Sequence, residues 1–210
     1  MERRSFVLAV ALVTLTAPGA AAKGVKPLGA LPLRIAVAQE EGRPVRDDAW
    51  IDAQVAEAER LFGPIGVHFR KASTATLDAR YARLETRKDR DALAAELHKG
   101  VINVMIVASL RDVDDPSLYR MGVHWRPSTA LKKHYVIVAA SAQPSTLAHE
   151  LGHFFGLAHT AVPNNLMSYA RTGDAVFLDA AQASRTLAFA RLSVAAKEVV
   201  PDAGASVVTH

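Results

Sequence analysis

The chain has 210 residues, of which half are hydrophobic and 22% charged, a balance that suits a packed globular domain and excludes a disordered or fibrous polymer. It contains no cysteine, which rules out thiol catalysis and disulfide staples. The net formal charge of +4 is small and unclustered, and basic stretches such as ARYARLETRKDR mix both signs, so a nucleic-acid partner is not expected.

The first element reads as an export signal at residues 1–22: Arg3 and Arg4 make a basic start, Phe6 to Leu15 an apolar run, and Ala20 to Ala22 a small-residue cleavage site before Lys23. The run is shorter than the roughly 20 residues a membrane span needs, so cleavage is expected over an uncleaved anchor, with no stable membrane insertion afterwards. Residues 23–210 then form one domain, secreted or periplasmic; bacterial export is the compositional expectation.

LPLRIAVAQ (31–39) alternates as a strand, and a turn through Glu41, Gly42 and Pro44 follows. Helical spacing of Trp50, Ile51, Val55, Ala58, Leu61 and Phe62 predicts a helix capped by Asp47 or Asp48 and stopped at Gly63. Residues 66–73 predict a second strand, 90–100 a second helix and 101–110 a buried strand. After a loop over 111–120, MGVHW (121–125) reads as a short edge strand and 134–142 as another apolar strand. Ser145 or Thr146 can cap the next helix, and a last helix starts at Asp179. Strands alternating with helices indicate a mixed α and β sandwich.

The helix after Ser145 carries HELGHFFGLAH (149–159), with three of the eight histidines. Residues four apart share a helix face, so His149 and His153 aim at one point. Gly156 can take the positive φ at which a helix ends, and the chain beyond it can return His159 to that point. Three neutral imidazoles suit Zn²⁺ with one position left for water. Glu150, roughly 100° round the helix from His149, is placed to act as the base for that water, as a closed structural site would not require.

At His149, Glu150, His153, Gly156 and His159 the chain resembles the metzincin clan of zinc endopeptidases, whose signature is HExxHxxGxxH followed by a methionine turn. NNLMSY (164–169) is similar to that turn. The resemblance implies that Met167 lies beneath the metal as a hydrophobic base without ligating it. Tyr169 is similar in position to the tyrosine that astacin-like and serralysin-like members place near zinc, where it ligates the resting metal or donates to the oxyanion; a packing tyrosine is the other reading.

The implied fold is α+β, a zincin-like sandwich with a twisted, mostly parallel five-stranded sheet, an antiparallel edge strand, a zinc-bearing helix, and after about residue 156 a small C-terminal subdomain ending in a helix. The implied activity is zinc-dependent endopeptidase hydrolysis of a protein or peptide lying extended along MGVHW, with Glu150 as general base. The loop 170–177 would shape specificity. A zinc-containing protein of the same fold that binds peptide without cutting it is the alternative. His124, in the edge strand, is expected to face solvent, the other reading being that it faces the cleft, and Asp112, Asp114 and Asp115 to form a solvated acidic loop rather than a calcium site. With no cysteine, the propeptide thiol by which matrixin-like members block zinc is excluded.

Overall fold

Leu31–Glu40 (β1) is buried continuously up to its last two residues, as an interior strand of a sheet whose two faces are both covered. The computed structural model describes residues 27–128, 130, 133–173 and 175–201; the export signal expected at 1–22 lies outside them. After β1 come Arg43–Pro44 (β2), Asp48–Phe62 (α1), Phe69–Leu77 (β3), Arg83–Leu84 (β4) and Arg87–Ala92 (α2). Ile102–Val107 (β5), Ser109–Leu110 (β6), Gly122–Trp125 (β7) and Tyr135–Ala139 (β8) complete the strands. Thr146–Phe154 (α3) and Ala180–Ala195 (α4) follow.

The sheet runs β3, β1, β5, β8, β7. Its first four strands are parallel, and β7 is antiparallel at the edge. This is the five-strand plan, extended by the two-residue β2, which folds back on the end of β1. Leu33, Ile35, Val104, Ile106, Val136 and Val138 point to one face, where α1 and α3 cover them. Ala36, Met105, Val107, Ile137 and Ala139 point to the other, under Tyr81, Leu84, Leu93 and Leu110. Fully burying each Leu, Ile or Phe contributes about 1.5–3 kcal/mol, so both faces stabilise the platform that carries β7 and α3. No helix among the described residues is long and apolar enough to cross a membrane.

Several boundaries differ from the sequence reading: the strand expected over 101–110 is split into β5 and β6, that over 134–142 is the shorter β8, and two further shifts have a local cause. The helix expected over 90–100 begins at Arg87, because Thr86 and Asp89 form a reciprocal capping box, and it tightens into a 3₁₀ turn at Leu93–Glu96. The strand expected over 66–73 starts at Phe69, because Gly66, at φ 78°, closes a turn over Gly63–Ile65 first. The last helix begins where its cap predicts, with Asp179 accepting from the Gln182 amide.

Candidate metal centre

α3 sets His149 and His153 one turn apart, and their rings stand 4.8 Å from each other. Gly156 has φ 79°, and the reversal there is tied by the Leu157 N–H donating to the Gly152 carbonyl at 2.9 Å. The chain leaves the helix in that direction and brings His159 back. The His159 Nε2 lies 3.3 Å from that of His149 and 3.0 Å from that of His153.

The other ring nitrogens explain why this point suits a cation. His149 Nδ1–H donates to the Leu166 carbonyl at 2.7 Å, and His153 Nδ1–H to the Leu157 carbonyl at 2.9 Å. In a neutral ring a protonated Nδ1 leaves Nε2 as a lone pair. The Tyr169 hydroxyl, 2.9 Å from His159 Nε2, is placed to donate to the third. Burial lowers the pKa of all three histidines, that of His149 to about 4, so the rings stay neutral. Three lone pairs converging without protons repel one another, and a soft-to-borderline cation such as zinc relieves that repulsion.

Glu150 leaves α3 towards β7 and is 6% exposed. Burial pushes its carboxyl up to about 8, partly opposed by the His124 backbone N–H that donates to it. It fits there because Gly122 has no side chain: a Cβ at that position would lie 2.8 Å from Glu150 Cγ and from Thr146 Cγ2. Met167 is fully buried under the helix, and a Cβ on Gly152 would stand 2.6 Å from its sulfur. The turn around it is held by Asn165, whose Oδ1 accepts from the Met167 N–H and which exchanges hydrogen bonds with Gln182 of α4. Tyr169 is 71% exposed at the mouth of the site, with its ring beside those of His149 and His159, so it is not a core-packing residue.

Sequence reasoning did not single out Gly122, Gly152, Asn165, Arg120 or Arg171, all of which border the site. A glycine inside a helical pattern is the one signal that could have found Gly152.

The expected solvent-facing His124 is corrected. It is half-buried, its Nε2 lies 2.7 Å from His134 Nδ1, and the His134 Nε2 pairs with Glu198. The cause is the returning C-terminal segment, joined by a bridge between Gly100 and Val199. His134 stacks on Phe154 at 4.2 Å, His124 lines a cavity with Glu150, His153 and His159, and burial keeps both histidines below their ordinary pKa. The acidic loop satisfies itself: Asp112 accepts from the Asp114 and Asp115 N–H groups and pairs with Arg120.

No family model and no curated protein matches this sequence. Solved structures match its fold. Metalloproteinase-II from Bacteroides fragilis aligns with TM-score 0.55 and 13% identity over 80% of this chain and 55% of its own, so the chain spans about half of that protein. Mature mirolysin of Tannerella forsythia, solved with a cleaved peptide, aligns with TM-score 0.56 and 12% identity over 77% of this chain and 91% of its own. Archaemetzincin from Methanopyrus kandleri aligns with TM-score 0.52 and 15% identity over 77% of this chain and 96% of its own. At these identities the likeness is one of fold. The chain has the zincin-like α+β fold of metzincins, and two of its three clustered histidines lie on the helix beneath the edge strand, the third just beyond it.

Proposed function

We propose that this chain is an exported zinc-dependent endopeptidase. The observation that carries the reading is the convergence of three histidine Nε2 atoms beside a buried carboxyl, under an edge strand that only β8 pairs among the described residues. His149, His153 and His159 would hold the zinc, which when bound supplies Lewis-acid chemistry, acidifying water and polarising a carbonyl.

The chain's own residues do the rest. The edge of β7 away from β8, which no other described strand pairs, offers its remaining main-chain groups to an extended peptide. Glu150, held against Gly122, accepts the proton of the attacking water at its carboxylate and passes it to the leaving amine. The Tyr169 hydroxyl stands where it can donate to the oxygen of the carbonyl under attack. The peptide-bound mirolysin fold and the basic, apolar, small-residue pattern at 1–22 are in keeping with a peptide substrate and with export.

The test compares zinc content and peptide cleavage in the wild type and in Glu150→Gln. The expectation is about one zinc per chain in both, with kcat/KM at least about 10²-fold lower in the variant, the usual loss for a general base. Equal cleavage by both would remove Glu150 from the mechanism. A zinc-loaded wild type that binds peptide but does not cut would make the chain a binding protein.

A further inference from the structure

Beside the histidine cluster is a cavity of about 290 Å³ whose inner end is formed by His149 and Glu150 and whose rim carries Gly122 and Tyr169. Two arginines are among the residues that line it, Arg120 and Arg171. Arg120 leans on Asp112, a buried carboxylate whose other oxygen is already taken by the Asp114 and Asp115 N–H groups. Its charge still reaches the site, where it acts on both His159 and Tyr169.

Arg171 is built differently. Its Nη1 donates to the main-chain carbonyls of Ser168 at 2.5 Å and Asn165 at 3.1 Å, and its Nη2 approaches the Leu166 carbonyl at 3.5 Å. Leu166 is also the residue whose carbonyl orients His149. The guanidinium is thereby fixed to the turn under the metal site, while among the described residues no carboxylate pairs with it and its Nε–H makes no hydrogen bond. The Nε and Nη2 pair is the edge of arginine that matches the two oxygens of a carboxylate. Two arginines therefore line this cavity together with Glu150, and among the described residues the carboxylate paired with either arginine is that of Asp112, on Arg120.

We infer that the cavity selects a carboxylate on the peptide next to the bond to be cut, presented to Arg171 and supported by Arg120. The inference rests on the peptidase reading. A peptide that lies along β7 with its carbonyl at the histidine cluster has to turn a neighbouring side chain or its terminus into this space. The carboxylate comes from an Asp or Glu side chain or from the free C-terminus, and the two sources are separable.

The experiment uses the zinc-loaded full chain and matched peptides carrying Asp, Asn, Glu, Gln or Lys at each position flanking the cut. Each is made as the C-terminal amide, with a second set of short peptides made as free acids. Acidic peptides are expected to exceed their amide isosteres in kcat/KM by at least about tenfold, with Lys least favoured, and the advantage to shrink with salt. In Arg171→Gln the ratio of acidic to amide peptide should fall towards one; in Arg120→Gln, whose fixed partner lies outside the turn, it should fall in part. A preference confined to free-acid peptides would name the terminal carboxylate as the source.

Equal rates for Asp and Asn peptides at both positions together with equal rates for the free-acid and amide forms, or a preference for Lys, would overturn the inference while leaving the peptidase reading intact. If zinc is bound and no peptide is cut, the peptidase reading fails instead. Calorimetric binding of the same peptides then decides the cavity's role, with equal affinity for acidic and amide forms counting against it.

Discussion

Gly122→Ala is the substitution that most directly probes how β7 and α3 assemble the site. The added methyl would lie 2.8 Å from Glu150 Cγ, 2.8 Å from Thr146 Cγ2 and 2.9 Å from Glu150 Oε1. Carbon atoms prefer about 3.5–4.0 Å, so the two carbon contacts are each roughly 0.7 Å or more too close. The backbone at Gly122 is not left-handed, so alanine adds no torsional strain and the whole effect is steric. Because Thr146 and Glu150 occupy successive turns of one helix face, rotating a single side chain does not relieve both contacts. Overpacking of this kind costs roughly 1–3 kcal/mol, and Tm should fall by about 2–4 °C for each kcal/mol in a chain of this size.

Activity should suffer more, since a carboxylate displaced by about 1 Å costs on the order of 10²-fold in rate. Zinc content, differential scanning calorimetry and kcat/KM on one peptide make up the assay. The expected result is full zinc, lowered Tm and strongly reduced turnover. Adding Thr146→Ser, which removes one of the struck methyl groups, should recover part of the Tm and little of the rate. Wild-type Tm and rate in Gly122→Ala would refute the idea that this glycine is what admits Glu150 to its place.

Glu150 also sets a pH dependence in the zinc-free protein. Its carboxyl is raised by burial from 4.5 to about 8, so the folded chain holds a proton that the unfolded chain releases. That contribution is complete below 4.5 and is lost as pH rises through about 8, so Glu150→Gln should match the wild type near pH 4 and melt higher than it near pH 9. Equal melting at both values would contradict it. Gly152→Ala sets two effects against each other: helix propensity favours alanine by about 1 kcal/mol, while a Cβ 2.6 Å from the buried Met167 sulfur costs roughly 1–3 kcal/mol. Urea denaturation should show a net loss, and a variant at least as stable as wild type would mean that Met167 yields freely. Zinc at about 100 times its Kd should stabilise the metal-free chain by about 2.7 kcal/mol, a gain that His159→Ala should largely abolish; an undiminished gain would place the metal elsewhere.

Local geometry was legible in the sequence. Helical periodicity alone puts His149 and His153 on one face, and the positive φ that glycine tolerates is taken up at Gly156, where it returns His159. Continuous apolar runs likewise identify β5 and β8, because burial on both faces of a parallel strand leaves that signature, while β1 is read from the alternation in 31–39. Tertiary structure decided what periodicity does not encode. The Leu166 carbonyl that fixes the His149 ring lies 17 residues away, and Gly122 meets Glu150 only because β7 is laid over α3. His124 is turned inwards by His134 and by Glu198 from the end of the described chain, and Arg171 reaches its cavity through the carbonyls of a turn. The sequence determined which residues could carry the chemistry, since backbone torsion and spacing are local; which atoms meet, in which tautomer and against which glycine, depends on packing between elements far apart in the chain.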